Sequence, residues 1–340
     1  MNIYELENKL QALKINGKYI ESKTSGFYTD HYVKFDPTIT INKIRARESD
    51  LSLFFGVPVQ VVVDGSNVIL RTENTKRQPC YMVDFQTDII NDAKREMPLA
   101  IGVDGNGNKI YYDLVKLPHL LVAGSTGSGK SVFLNDCILS TLFKNNNSLV
   151  LIDVKRVEFS IYEPLKCLYY PIAYDIKTAS NTLRCLCKEM DQRYKILQQN
   201  HARNIKEYTE NGGKMEYITV VIDEIADIMI QNKKAVESYI IRLAQLGRAA
   251  GIHLIIATQR PSADILTSLI KANIPSRISF SVASAIDSRV ILDQKGAETL
   301  QGNGDGLFLP IGSNTPTRIQ APFVETRHII ELVNNGINWM

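Results

Sequence analysis

From residue 118 onward, uninterrupted apolar runs alternate with segments whose apolar positions recur every three or four residues. The runs HLLVAG (119–124), SLVLIDV (148–154), YITVVIDEI (217–225), HLIIATQ (253–259) and RISFSV (277–282) read as strands. Between them, Leu183, Leu186, Met190, Tyr194 and Leu197 mark one helical face. Val236, Ile240, Leu243 and Leu246 mark a second, within residues 234–249. Strands that are apolar on both sides belong in a parallel sheet covered by helices on both faces. The pattern predicts a doubly wound α/β domain.

The first hundred residues are patterned differently. HYVKFDPTITI (31–41), VPVQVVVDG (57–65) and SNVILRTE (66–73) read as strands, and ESDLSLFFG (48–56) reads as a short helix. Asp64-Gly65 marks a hairpin inside VVVDGSNVIL. This is the signature of a small α+β domain. The polar stretch TENTKRQPC (72–80) and the turn-rich DGNGN (104–108) bracket the junction. Residues 1–95 are assigned to the small domain and 96–340 to the larger one.

Composition changes this picture little. The 340 residues are 44% hydrophobic and 22% charged, with a net charge of +3 that permits a nucleic-acid partner without requiring one. No apolar run approaches the length of a membrane span, and the amphipathic, acid-containing start MNIYELENKLQALK lacks a signal-peptide layout. A cytoplasmic chain without membrane insertion is expected. Cys80, Cys137, Cys167, Cys185 and Cys187 form no CxxC pair and are expected to be free thiols.

The chemistry starts at LLVAGSTGSGKS (120–131), an apolar strand that runs into a glycine-rich loop and then a helix. Gly124, Ser125, Thr126, Gly127, Ser128, Gly129, Lys130 and Ser131 fit the Walker A spacing, and Val132 continues into the helix. Glycines let the backbone N–H groups converge on phosphates, and the helix turns its positive end toward them. Lys130 is expected to reach the β- and γ-phosphates of ATP, and the Ser131 hydroxyl to ligate Mg²⁺. Downstream, four apolar residues deliver Asp223 to the Mg²⁺ shell, as in a Walker B strand. Glu224 follows directly and can polarise water for attack on the γ-phosphate, which favours hydrolysis over transfer to another substrate. Its other reading is a helix cap or a solvent-facing acid. SLVLIDV is an extra strand between these two motifs in sequence. HLIIATQRP ends in Gln259, which can hydrogen-bond the γ-phosphate or the attacking water.

GRAAGIHLIIATQRPSADILTSLIKANIPSRISFSVASAIDSRVILDQKGAETLQGNGDGLFLP (247–310) resembles the FtsK/SpoIIIE family of hexameric DNA translocases over its whole length. The resemblance extends to MPLAIGVDGNGNKIYYDLVKLPHLLVAGSTGSGKSV (97–132), LVLIDVKRVEFSIYE (149–163) and KEMDQRY (188–194). More loosely, YVKFDPTITINKIRARESDLSLFFG (32–56) is similar to the small domain that precedes the motor in that family. The resemblance implies a RecA-like P-loop NTPase of the additional-strand, catalytic-glutamate type. It also implies an ATPase that forms a homo-hexamer and drives double-stranded DNA through a central channel.

In such rings an arginine completes the neighbour's ATP site in trans. Arg277 is the first candidate, ahead of Arg289, and Arg248 lies in the same block. The resemblance also implies that Ser284–Arg289, Gln294–Gly296 and the turn Gly302–Gly306 line the channel. The glycine-rich turn either holds DNA phosphates through its N–H groups or simply closes a hairpin. Two family parts are missing, an N-terminal membrane segment and a winged-helix domain beyond Met340. A separate recruiting protein and a mobile-element or viral origin are therefore expected. Two other readings stay open: a conjugative coupling or helicase-like motor on single-stranded DNA, and a nucleotide-dependent scaffold without motor activity.

Overall fold

The computed structural model describes residues 3–24, 26–64, 67–74, 80–144 and 147–335. The chain divides into two compact units, Met1–Pro79 with Val103–Asn108, and Cys80–Gly102 with Lys109–Met340.

The first unit opens with α1 (Ile3–Ala12), which buries Leu6 and Leu10. Four antiparallel strands follow, β1 (Gly17–Thr24), β2 (Tyr28–Phe35), β3 (Val59–Asp64) and β4 (Asn67–Glu73), in the order β1-β2-β4-β3. Two helices, α2 (Ile41–Arg45) and α3 (Glu48–Phe55), connect β2 to β3. Leu6, Leu10, Ile44, Leu51, Val61 and Leu70 meet in one core. The expected strand over 31–41 stops at Phe35. There Asp36 accepts hydrogen bonds from the Thr38 amide (2.9 Å) and hydroxyl (2.7 Å), an Asx turn that competes with the ladder. The hairpin expected at Asp64-Gly65 appears as antiparallel β3–β4 pairing that ends at Asp64↔Asn67. Gly65 itself, and residues 75–79 of the expected linker, lie outside the described residues.

The second unit is built on a nine-stranded sheet with helices on both sides. After α4 (Val83–Ile90) come β5 (Pro98–Asp104), β6 (Lys109–Asp113), β7 (His119–Ala123), α5 (Lys130–Leu142) and β8 (Asn147–Ile152). Next are α6 (Ile176–Gln199), α7 (Ile205–Glu210), β9 (Tyr217–Ile222), α8 (Ile225–Leu246) and β10 (Ile252–Thr258). The unit ends with α9 (Ser268–Asn273), β11 (Ser276–Phe280), α10 (Ala285–Leu292), β12 (Asp305–Leu309), β13 (Thr317–Gln320) and α11 (Thr326–Asn334).

Strand order is β6-β5-β13-β12-β11-β7-β10-β9-β8. The five strands read from sequence form its parallel part, and β12 and β13 extend it antiparallel from β11. Alternate strand residues serve opposite faces. Leu121, Val150, Val220 and Leu254 join the core under α6 and α8. Their neighbours Leu120, Leu149, Val221 and Ile255 are equally buried on the face that α5 covers. The second helix predicted at 234–249 is the part of α8 beyond a kink at Asn232 and ends at Leu246. A helical stretch not read from the sequence precedes the kink from Ile225, capped by Glu224 through the Ala226 amide. In space, β10 rather than β8 separates the Walker A strand from the Walker B strand. None of the five cysteines is in a disulfide among the described residues, where also no helix is long and apolar enough to cross a membrane.

One core residue breaks the pattern. Asp136 on α5 is fully buried, and neither carboxylate oxygen has a hydrogen-bond partner. Burial raises its pKa well above the ordinary 3.8. A group whose folded pKa is raised contributes stability below its unfolded pKa that is lost as pH rises toward the folded value. Asp136→Asn removes that linkage. Denaturation of both proteins between pH 4 and pH 7 should show the variant gaining on wild type by about 1.4 kcal/mol per pH unit over the window where only the folded state keeps its proton. A pH-independent difference would mean that Asp136 is not held neutral by burial.

Candidate nucleotide-binding and hydrolysis site

The parallel strands end side by side, so the residues just beyond them converge. The loop after β7 takes its shape from its neighbours. The Gly124 amide donates to Thr258 O (3.2 Å), and the Ser125 amide and hydroxyl both donate to Ser281 O (2.9 Å each). Gly129 has φ +104, and a Cβ there would sit 2.4 Å from the Gly304 nitrogen, so only glycine fits. Beyond it α5 begins, offering the unpaired amides of Lys130, Ser131 and Val132 in its first turn. This is the backbone cradle expected of Gly124–Val132.

Lys130 is buried with its ammonium 2.8 Å from both Asp223 O and Asp223 Oδ1. Asp223 follows β9, and the Ser131 hydroxyl donates to Glu158 Oε1 at 2.8 Å. Glu224 is also buried, and both of its oxygens are engaged. Oε1 accepts from the Thr258 hydroxyl (2.6 Å) and the Ala226 amide (3.2 Å), and Oε2 accepts from the Gln259 amide (2.7 Å). Glu224 thus makes the cap contact to Ala226, and its carboxylate is also fixed against the tip of β10. The Gln259 side chain in turn accepts from the Thr126 hydroxyl at 3.2 Å. Lys130, Ser131, Asp223, Glu224 and Gln259 are thus brought together around the phosphate loop.

Two groups of expected residues are placed elsewhere. Arg277 lies at the start of β11, whereas the strand's far end, Phe280, is the one beside the phosphate loop. Its guanidinium is turned into its own subunit, donating to Asp293 Oδ2 (2.6 Å), Ile291 O (3.0 Å) and Lys271 O (3.4 Å), and only Nε has no partner. The glycine-rich turn, read either as a DNA-phosphate contact or as the close of a hairpin, gives two of its amides to the phosphate loop. The Gly304 amide donates to Ser128 O (2.9 Å) and the Asn303 amide to Gly127 O (3.4 Å). Ser284–Arg289 is not a loop either. Ser284 caps α10 through the Asp287 amide, and Arg289 is exposed on that helix.

Two acids of this region carry no role in the sequence reading. Asp153 is buried directly after β8, and Glu158 follows five residues later. The available signal was an acid at the tip of a strand adjacent to the Walker B strand. Ile152 and Ile222 are register partners, so Asp153 and Asp223 are neighbours at the strand ends. Asp153 Oδ1 is buried without a partner.

Four carboxylates, Asp153, Glu158, Asp223 and Glu224, therefore gather where Lys130 is the one cation hydrogen-bonded to them among the described residues. An excess of hard oxygen donors is the donor chemistry that Mg²⁺ takes. No group of three or more His, Cys, Asp or Glu among the described residues is arranged to hold a metal by itself.

Relatives carry the same architecture. The profile of the FtsK/SpoIIIE family matches residues 84–263. The protein described as DNA translocase FtsK of Campylobacter jejuni is 41% identical over 98% of this chain, which spans 36% of that relative's length. The Haemophilus influenzae protein of the same description is 37% identical over 97% of this chain and 69% of its own. Among solved structures, the pCW3 conjugation coupling protein TcpA with ATPγS superposes with a TM-score of 0.71 at 25% identity, covering 98% of both chains. The type VII secretion ATPase EccC of Thermomonospora curvata shares the fold, with a TM-score of 0.67 at 21% identity over 75% of this chain and 34% of its own. With the family profile covering more than half of the sequence and the translocase relatives matching it nearly end to end, the chain belongs to the FtsK/SpoIIIE family of P-loop ATPases.

Proposed function

We propose that this chain hydrolyses ATP and spends the energy moving double-stranded DNA in the cytoplasm, as a ring of six copies with the duplex in the centre. The observation that carries hydrolysis is the clamp on Glu224. A carboxylate held between Thr258 and the Gln259 amide is positioned to orient water, which a kinase-type site has no need of. Lys130 moves from Asp223 to the β- and γ-phosphates, the Gly124–Val132 amides hold the phosphate chain, and Gln259 senses the γ-phosphate beside Thr126. Bound Mg²⁺ supplies charge neutralisation between the phosphates, with Ser131 and Asp223 as its protein contacts. The second unit is the motor and the first an accessory module, and a separate protein recruits them to DNA. The DNA assignment rests on the relatives named DNA translocase FtsK. A second reading, a coupling ATPase on single-stranded DNA, is favoured by the end-to-end likeness to TcpA.

Steady-state ATPase assays with no DNA, linear duplex and single strand decide between these. Duplex should stimulate turnover most, and Lys130→Ala should abolish it. Stimulation by single strand alone supports the coupling reading, and a rate indifferent to DNA removes both.

Glu224→Gln should bind ATP with near wild-type affinity but hydrolyse it about 10²–10⁴-fold more slowly, the usual worth of a general base. Filter retention of labelled DNA should then show ATP-loaded complexes that persist. Loss of nucleotide binding in this variant would leave Glu224 with only its cap.

Arg277 is proposed as the arginine given to a neighbouring site, supported by its distance along β11 from its own phosphate loop. Delivery requires the Asp293 pair to open. Arg277→Lys keeps a cation for Asp293 and should bind ATP while losing most hydrolysis, an effect of about 10³–10⁵ for such arginines. Mixing it with Lys130→Ala should restore activity in co-assembled rings, because some interfaces then join an intact loop to an intact arginine. Activity that stays at background in verified mixed rings would point to exposed Arg289 instead.

A further inference from the structure

Glu158 touches the phosphate-loop helix but belongs to neither Walker motif. We propose that Glu158 is a positioning residue for Ser131, a carboxylate that takes the hydroxyl proton so that the oxygen's lone pairs face the cation. This deepens, and rests on, the reading of Ser131 as a Mg²⁺ contact. A serine hydroxyl has one proton and two lone pairs. It ligates a cation well only if the proton is directed elsewhere. Here the proton goes to Glu158 Oε1 at 2.8 Å. A charge-assisted bond of this kind also makes the donor oxygen more basic, as carboxylates do for other metal ligands.

The surrounding segment is built to hold that contact. Asp153 Oδ2 accepts from the Glu158 amide (2.9 Å) and the Phe159 amide (3.0 Å), which anchors the loop to the end of β8. Phe159 and Tyr162 are fully buried just beyond it. The Tyr162 hydroxyl donates to Asn135 Oδ1 (2.7 Å), and Asn135 Nδ2 donates to Ser131 O (3.1 Å). Residues 158–162 are therefore tied to the first turn of α5 at both ends. The segment that follows the sheet's edge strand β8 carries Glu158 to Ser131 on α5. A surface glutamate meeting a serine by accident has no such scaffold. The opposite reading is a latch, in which Glu158 occupies Ser131 in competition with the cation. The two readings differ in sign.

The test titrates a fluorescent non-hydrolysable ATP analogue into the full chain, with Mg²⁺ varied and with EDTA. Wild type should bind more tightly as Mg²⁺ rises. Glu158→Ala should keep its EDTA affinity within about twofold while needing about 10–100-fold more Mg²⁺ for half its enhancement, the usual cost of removing such a partner. Glu158→Gln retains a carbonyl acceptor and should recover most of that loss. An unchanged Mg²⁺ midpoint in Glu158→Ala overturns the proposal, and a lowered midpoint does so in favour of the latch. Weaker binding in EDTA as well would make the contact structural. If wild type itself shows no Mg²⁺ enhancement, the magnesium reading fails before any variant is considered.

Discussion

The Lys130–Asp223 pair is the constraint around which the second unit is arranged. Both side chains are almost wholly removed from solvent, at 2% and 3% exposure, and meet at 2.8 Å. Isolated, either charge would cost several kcal/mol to bury, so neither position is tenable without the other or a substitute. Phosphate oxygens and a divalent cation are such substitutes, since they replace the carboxylate for Lys130 and the ammonium for Asp223. On the function proposed above, nucleotide binding is an exchange of ionic partners within one buried cluster.

That exchange works only because the strand order puts the right side chains beside the pair. With β10 inserted between β7 and β9, the tip carrying Thr258 and Gln259 lies between the phosphate loop and the paired acids. Thr258 and the Gln259 amide hold the Glu224 carboxylate, and Thr126 reaches the Gln259 side chain. A displacement of Thr126 thus has a route of two hydrogen bonds to the Glu224 carboxylate. Glu224 also caps α8, which couples the same carboxylate to a helix packed on α6.

Much of this was legible in the sequence because the five parallel strands are almost wholly buried and so carry mainly apolar runs. Their ends, where Lys130, Asp223, Glu224 and Gln259 sit, followed directly. Elements that cover only one face left weaker traces. β12 and β13 are short and run antiparallel at the sheet's extension; β12 opens on Asp305-Gly306 and β13 buries only Ile319, so neither stood out. The start of α8 was hidden because Glu224 serves both as cap and as catalytic candidate, and the apolar spacing breaks at Asn232. Residue type also could not tell which surface the Gly302–Gly306 turn would meet. A glycine-rich turn suits a phosphate from DNA as well as it suits the back of a phosphate loop. Arg277 was legible as a cation but not as one already committed to Asp293.

The turn's actual place gives it a mechanical meaning. The phosphate loop is held on three sides: by Thr258 O of β10, by Ser281 O just past β11, and by the Gly304 amide. The third support exists only because Gly129 has no side chain to keep Gly304 away. The turn is itself pinned. Arg318 makes a two-point contact with buried Asp305, and the Gln320 amide donates to Asn303 O (2.8 Å). Opening of the loop on this side would therefore have to move β12 and β13 as well. A loop fixed by backbone contacts to three neighbouring segments meets phosphates with its amides already oriented, so little reorganisation remains to be made on binding.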